Sequence, residues 1–220
     1  MSFISHLTLA GYLKTPLIIE AFGKIKRVDF MPEETKDLHD LDQAFSIGEG
    51  QTISQPAVVA FMLELLQPEP GDKILDIGSG SGWTTSLLSY ITSRKRKPGK
   101  VFALEVIESL KELGEQNTKK YNFVKKGIAQ FFLKDGWEGL KSSAPFDKIL
   151  VSAAAENVPI KLKKQLKKGG KMVIPIKDKK EESFYSQSIW LLQKDKKGKI
   201  KISKTPGFVF VPLIKKKKKI

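Results

Sequence analysis

The chain has 220 residues, 40% of them hydrophobic, and a formal charge of +15. That length fits one large domain with a modest extension, and the apolar share suffices for a buried core. The lack of cysteine excludes disulfides and thiolate metal sites, and with only His6 and His39 present no metal site is expected.

No apolar run approaches the ~20 residues of a membrane-spanning helix, so no membrane partner is expected. Met1 to Leu13 lacks the basic start and small-residue cleavage site of a signal peptide, which points to the cytoplasm. Nearly every cation is lysine; arginine occurs only at positions 27, 94 and 96. Phosphate and base readout lean on arginine forks, so a nucleic-acid partner is disfavoured and the lysines read as a solvated surface.

Residues 1–45 read as mostly helical, with Leu17, Ile18, Ala21, Phe22 and Ile25 at helical spacing and Pro16 suited to a first turn. Pro32 breaks that pattern. Residues 46–56, rich in glycine and hydroxyls, read as a loop ending on Pro56, which opens a helix over Ala57 to Leu66. Lys73 to Ile77 is a buried strand, Gly78 to Gly82 a glycine loop, and Trp83 to Ile91 a helix. A basic loop then leads to a strand over Val101 to Leu104, closed by Glu105. Ile107 to Tyr121 is helical; Ile128 to Leu133 is a strand ending at Asp135-Gly136; Phe146 to Ser152 is the next strand. A short helix over Lys161 to Leu166 precedes Gly169-Gly170 and a strand over Lys171 to Ile176. Ser188 to Gln193 and Lys199 to Ile202 pair as a hairpin, and Phe208 to Val211 forms a last short strand. Alternating strands and helices predict an α/β fold: a Rossmann-like, doubly wound, mostly parallel sheet with an N-terminal helical extension. One domain is expected over residues 1–214. Residues 1–56 supply a helical part and a substrate loop, residues 57–214 the core and C-terminal strands, and residues 215–220 a disordered lysine tail.

A strand, then Asp76-Ile77-Gly78-Ser79-Gly80-Ser81-Gly82, then a helix is a nucleotide-binding arrangement. Glycines let the backbone turn sharply and approach a ligand closely. Glu105, ending the second strand, suits ribose hydroxyls. The spacing is G-x-G-x-G rather than G-x-G-x-x-G, and Asp76 just before it favours a cationic ligand over a pyrophosphate. S-adenosylmethionine, with its ammonium and sulfonium, is the ligand that fits, which makes the expected fold that of the class I methyltransferases. The ends of successive strands at Glu105 and Asp135-Gly136 converge on one crevice in such a fold.

The segment Ile47-Gly48-Glu49-Gly50-Gln51-Thr52-Ile53-Ser54-Gln55-Pro56 resembles a signature block of the protein-L-isoaspartate O-methyltransferase family. Arg27 to Pro32, Asp42, Ala144 to Asp147 with Val151 to Ala154, Gln165 to Gly170 and Phe210 to Leu213 extend the likeness over nearly the whole chain. Lys134, Ser152 and Trp83 depart from the family's commoner Gly, Thr and Tyr, and the lysine tail is not a family feature. The resemblance implies methyl transfer from S-adenosylmethionine, leaving S-adenosylhomocysteine, to the α-carboxylate of L-isoaspartyl residues in damaged proteins. It further implies a monomer that needs no metal. Asp76, Gly78, Ser79, Gly80 and Gly82 would hold the cofactor's amino-acid end, Glu105 its ribose, and Asp135 with Gly136 its adenine. Gln51, Thr52, Ile53 and Ser54 would lie between cofactor and substrate, with Ser54 as the catalytic-site residue. Without the resemblance, Ser54 reads as a helix N-cap ahead of Pro56 and Asp42 as a loop acid. The alternatives are a methyltransferase for RNA, favoured by the charge and the basic loop, and a binding protein that kept only the fold.

Overall fold

The computed structural model describes residues 3–178 and 186–215. Two short helices open the chain, α1 (Phe3–Leu9) and α2 (Pro16–Lys24), followed by 3₁₀ turns at Arg27–Phe30 and Glu33–Leu38. The loop expected at 46–56 is instead an antiparallel hairpin, β1 (Phe45–Gly48) and β2 (Gln51–Ile53). Its turn places Glu49 (φ 55°) and Gly50 (φ 67°) in the left-handed region, which matches the twist of paired strands. Helix α3 (Pro56–Leu66) ends at Gln67, itself left-handed, with Pro68 barring continuation.

The core alternates as expected: β3 (Lys73–Ile77), α4 (Trp83–Thr92), β4 (Lys100–Glu105), α5 (Glu108–Lys119), β5 (Ala129–Leu133), β6 (Phe146–Val151), α6 (Ile160–Gln165), β7 (Leu166–Lys177), β8 (Gln187–Lys194) and β9 (Ile200–Phe208). The seven-stranded sheet runs β5-β4-β3-β6-β7-β8-β9. Strands β3 to β7 are parallel, and β8 and β9 add antiparallel pairs at one edge.

Three details depart from the sequence expectations. Strand β7 begins five residues early, because Gly169-Gly170 forms an irregularity inside the strand rather than a stop; the register with β6 shifts between Phe146 and Lys148. A side chain at Gly170 would sit 2.7 Å from the Asp147 carbonyl, so only glycine lets the two backbones pass. Strand β9 is longer than expected, and the separate strand at Phe208 to Val211 does not exist. The backbone is left-handed at Gly207 (φ 94°), the chain leaves the sheet after Phe208, and the Gln187 side chain pairs with both backbone groups of Phe210 instead. Lys216 to Ile220 of the tail lie outside the described residues.

Strand side chains alternate between two apolar layers. Ile74, Val101, Ala129, Leu150, Val173 and Ile189 pack under α1 to α5. Leu75, Phe102, Leu104, Ile149, Met172 and Ile174 pack on the other face with Leu162 of α6. Strand order reverses between β3 and β6, so the crevice at their carboxyl ends is the switch point where ligands bind in this architecture.

Gly82 shows how tightly the loop is set. Its φ is 88°, and a Cβ there would lie 2.5 Å from the Gly114 carbonyl of α5 and 2.8 Å from Thr118 Oγ1. Gly82→Ala should therefore cost roughly 2–5 kcal/mol, overpacking and the left-handed backbone adding together. Denaturant unfolding of the variant measures this; a loss below about 1 kcal/mol would contradict the close packing.

Candidate active site

The crevice is walled by four segments. From β3 and its loop come Ile77, Gly78, Ser79, Gly80 and Ser81; from β4, Leu104, Glu105, Val106 and Ile107. The hairpin and its exit contribute Gln51, Thr52, Ile53 and Ser54, and the chain's end contributes Val211 to Ile214. Lys134, Gly136, Ser152 and Ala153 complete the strand-end side.

Of the residues singled out from sequence, Gln51 to Ser54, Gly78, Ser79, Gly80, Glu105 and Gly136 line this crevice together. Asp76, Gly82 and Asp135 do not. Gly82 faces α5, as described. Asp135 holds the turn after β5 by accepting from the Trp137 N–H (2.8 Å). Gly136 is there for proximity: a Cβ would lie 2.4 Å from Ile77 Cγ2.

Asp76 lies fully buried beneath the glycine loop. Its Oδ2 accepts from Thr85 Oγ1 (2.6 Å) and Thr84 Oγ1 (3.1 Å), both in the first turn of α4. Among the described residues Oδ1 has no hydrogen-bond partner, nor has the buried hydroxyl of Ser79. Burial raises the Asp76 carboxyl to about 6 against the two threonine bonds, with Glu105 adding repulsion. Sequence reasoning missed the two threonines, although hydroxyls opening the helix behind a strand-end acid were a readable signal.

Glu105 does more than face the crevice. Oε2 accepts from the Gly80 N–H (3.0 Å), and Oε1 from the N–H groups of Val106 (2.8 Å) and Ile107 (3.2 Å). A carboxylate offers about four acceptor positions, so one remains, on Oε2. The acid thus braces the glycine loop and keeps a site for one more donor.

The hairpin leans over this loop. Ile47 Cδ1 would be 3.2 Å from a Cβ on Gly80, and Ser109 of α5 donates to Glu49 Oε1 at the hairpin tip (2.9 Å). Ser54 follows the hairpin. Among the described residues its hydroxyl has no hydrogen-bond partner, so Ser54 does not cap α3. The cap comes from Asp42, whose Oδ1 accepts from the Ala57 N–H (2.8 Å) while Oδ2 accepts from Gln55 Nε2 (2.9 Å). Asp42→Ala should cost about 0.5–2 kcal/mol, the usual worth of an N-cap. Thermal unfolding checks this; an unchanged midpoint would remove Asp42 from that role.

A doubly wound sheet in this order, with a glycine loop over a buried acid and a second acid closing the neighbouring strand, defines a class I S-adenosylmethionine-dependent methyltransferase fold. The family model described as protein-L-isoaspartate(D-aspartate) O-methyltransferase matches residues 1–218, and the chain belongs to that family. It is 38% identical over 211 residues to the protein-L-isoaspartate O-methyltransferase of Methanopyrus kandleri, covering 96% of this chain and 89% of that one. With the enzyme of the same name from Thermococcus onnurineus it shares 36% identity, covering 96% and 91% of the two chains. Its fold is similar to a putative protein-L-isoaspartate O-methyltransferase from Plasmodium falciparum solved with S-adenosyl-L-homocysteine. The TM-score is 0.84 at 25% identity, over 98% of this chain and 97% of that one.

Among the described residues no helix is long and apolar enough to cross a membrane.

Proposed function

We propose that this chain transfers the methyl group of S-adenosylmethionine to the α-carboxylate of L-isoaspartyl residues, the first step in repairing damaged proteins. The observation that carries the reading is the Ser54 hydroxyl, without a hydrogen-bond partner among the described residues, on the same crevice as the glycine loop. When bound, S-adenosylmethionine supplies a methyl already activated by the sulfonium it leaves.

The residues present fit that group. Ser79 Oγ, on the crevice and without a hydrogen-bond partner among the described residues, is a buried polar atom that the ligand's amino-acid end would suit. Asp76 acts here through its charge from below the loop, since it does not line the crevice. The remaining acceptor position on Glu105 Oε2 suits a ribose hydroxyl. Gly136, packed closely against Ile77 on the crevice wall, lies at the end of β5 where this reading puts the adenine.

The acceptor carboxylate is ionised near pH 7, so the chain needs no strong base. Its task is orientation, which in well-aligned cases lowers a barrier by up to ~7–11 kcal/mol. Ser54 Oγ donates to the carboxylate, and its own proton is not transferred. The partners in this reading are proteins and peptides carrying L-isoaspartyl residues, met by a monomer in the cytoplasm.

The test is labelled-methyl transfer to paired peptides that differ only in Asp versus isoAsp. Label on the isoAsp peptide alone, released by mild alkali as a methyl ester, is the expected result. Alkali-stable label on RNA, or no transfer to either peptide, would overturn the reading.

A further inference from the structure

We propose that Arg27 is the positioning residue of Ser54, and that its guanidinium sets where the Ser54 hydroxyl is presented. Arg27 is 3% exposed, yet among the described residues no carboxylate forms an ion pair with it. Its Nη1 donates to the carbonyls of His39 (3.2 Å) and Leu41 (3.0 Å). Its Nη2 donates to the carbonyls of Gln43 (2.6 Å) and Ser54 (3.2 Å). The guanidinium carbon lies over the rings of Phe45 and Trp83, 5.4 and 5.5 Å from their centroids.

One planar cation thus gathers three carbonyls of the 39–43 segment and one of the crevice wall. That segment carries Asp42, which caps α3 immediately after Ser54. Ser54 is therefore held at its own carbonyl by Arg27, and the residues one and three positions on, Gln55 and Ala57, are held by Asp42. The aromatic faces come from the same two walls, Phe45 from the hairpin and Trp83 from the end of the glycine loop.

Only arginine meets this demand. Four separate acceptors need a rigid fork of donors, and the sandwich needs a plane; lysine offers three donors on a point charge. Burial lowers the Arg27 pKa to about 10, Asp42 opposing from a distance, so the group stays charged in the working range. Arg27 touches no reacting atom. Its effect on rate passes through the Ser54 backbone, where a shift near 1 Å is costly.

The position is reachable for a chemical test. A second cavity, bounded by Phe22, Ile25, Lys26, His39 and Trp83, runs to Arg27, and Lys26 on its rim is exposed. A small planar cation added to solution has a path to the emptied site.

The inference rests on the methyl-transfer reading. The experiment compares wild type, Arg27→Lys and Arg27→Ala on an isoaspartyl peptide at saturating cofactor, and measures cofactor affinity by titration calorimetry. For Arg27→Ala, kcat should fall about 30- to 100-fold, the scale of a 1 Å misplacement, with cofactor affinity unchanged. Guanidinium at tens of millimolar should restore most of that rate, and sodium chloride at equal strength none. Where Arg27→Ala does not fold, Arg27→Lys carries the test: kcat falls, cofactor affinity holds, and amide exchange quickens in residues 42–57. A folded Arg27→Ala that guanidinium does not rescue overturns the proposal. So does Arg27→Lys with wild-type kcat, or with cofactor affinity falling in step with kcat. Wild type inactive on the peptide would refute the reaction itself; amide exchange in Arg27→Lys still decides whether Ser54 is held as described.

Discussion

Ser54→Ala should slow methyl transfer to an isoaspartyl peptide by roughly 10- to 150-fold. The hydroxyl makes no hydrogen bond within the described protein, so its removal orphans no buried group and should leave stability near wild type. What is lost is one hydrogen bond to a charged acceptor, about 1.5–3 kcal/mol, and that energy sets the fold-change. The bond matters when the carboxylate is aligned for attack, so the loss should fall on turnover more than on cofactor affinity. Ser54→Thr keeps the hydroxyl and should retain part of the rate. Single-turnover transfer at saturating cofactor is the measurement. An alanine variant as fast as wild type, or a covalent adduct trapped on Ser54, would overturn the orienting role.

A larger effect is expected at Asp76, and there stability and binding should move in opposite directions. Asp76→Asn keeps an oxygen for Thr84 and Thr85 but removes a buried charge. Losing that charge opposite a cationic ligand should weaken cofactor binding by about 2–5 kcal/mol, or roughly 30- to several-thousand-fold. Ligand-free, the asparagine protein should be as stable as wild type at pH 8, or more so. The sign follows from the titration. The folded carboxyl ionises at about 6, above its ordinary 3.8, chiefly because it is buried. Its contribution to stability is full below about 3.8 and is lost as pH rises through about 6, so above that range wild type bears the cost of a desolvated charge. The same titration governs binding. Below pH 6 a cationic ligand must displace the proton, so wild-type affinity should fall by up to about tenfold per pH unit, with proton release on binding. Titration calorimetry from pH 5 to 7 in buffers of different ionisation heat tests this. A flat profile, or unchanged affinity in Asp76→Asn, would remove the acid from cofactor recognition.

How much of this was readable beforehand depended on how local each signal is. The strand, Asp76, the glycine loop and α4 are contiguous, and each residue type there has its own reason to be present. The hairpin was not readable, because hydroxyl and glycine content looked like loop and because its turn uses Glu49, a non-glycine residue in the left-handed region. Arg27 was visible only as part of a family motif. Its four acceptors are main-chain carbonyls, which leave no mark on a sequence. The Asp42 cap reaches a helix fifteen residues away, outside any window in which capping is sought. Glu105 was recognised for the crevice, whereas its brace on Gly80 depends on two loops meeting across neighbouring strands. Extra length in β7 was hidden by a glycine pair that signals a turn in most settings and here marks a crossing of backbones.

The segment that closes the crevice, Val211 to Ile214, is tied down after β9 by several independent contacts. Ala154 donates to the Val211 carbonyl (2.8 Å), Leu213 donates to Ala154 (2.7 Å), and Trp137 Nε1 donates to the Leu213 carbonyl (3.1 Å). Ser54, on the same crevice, is specified early in the chain. On the ribosome, a growing chain can therefore assemble the glycine loop and the serine wall long before it owns the last one. The crevice comes into being only once Val211 to Ile214 have emerged, so a chain stalled or clipped ahead of Val211 would keep its sheet and yet lack one wall of the crevice.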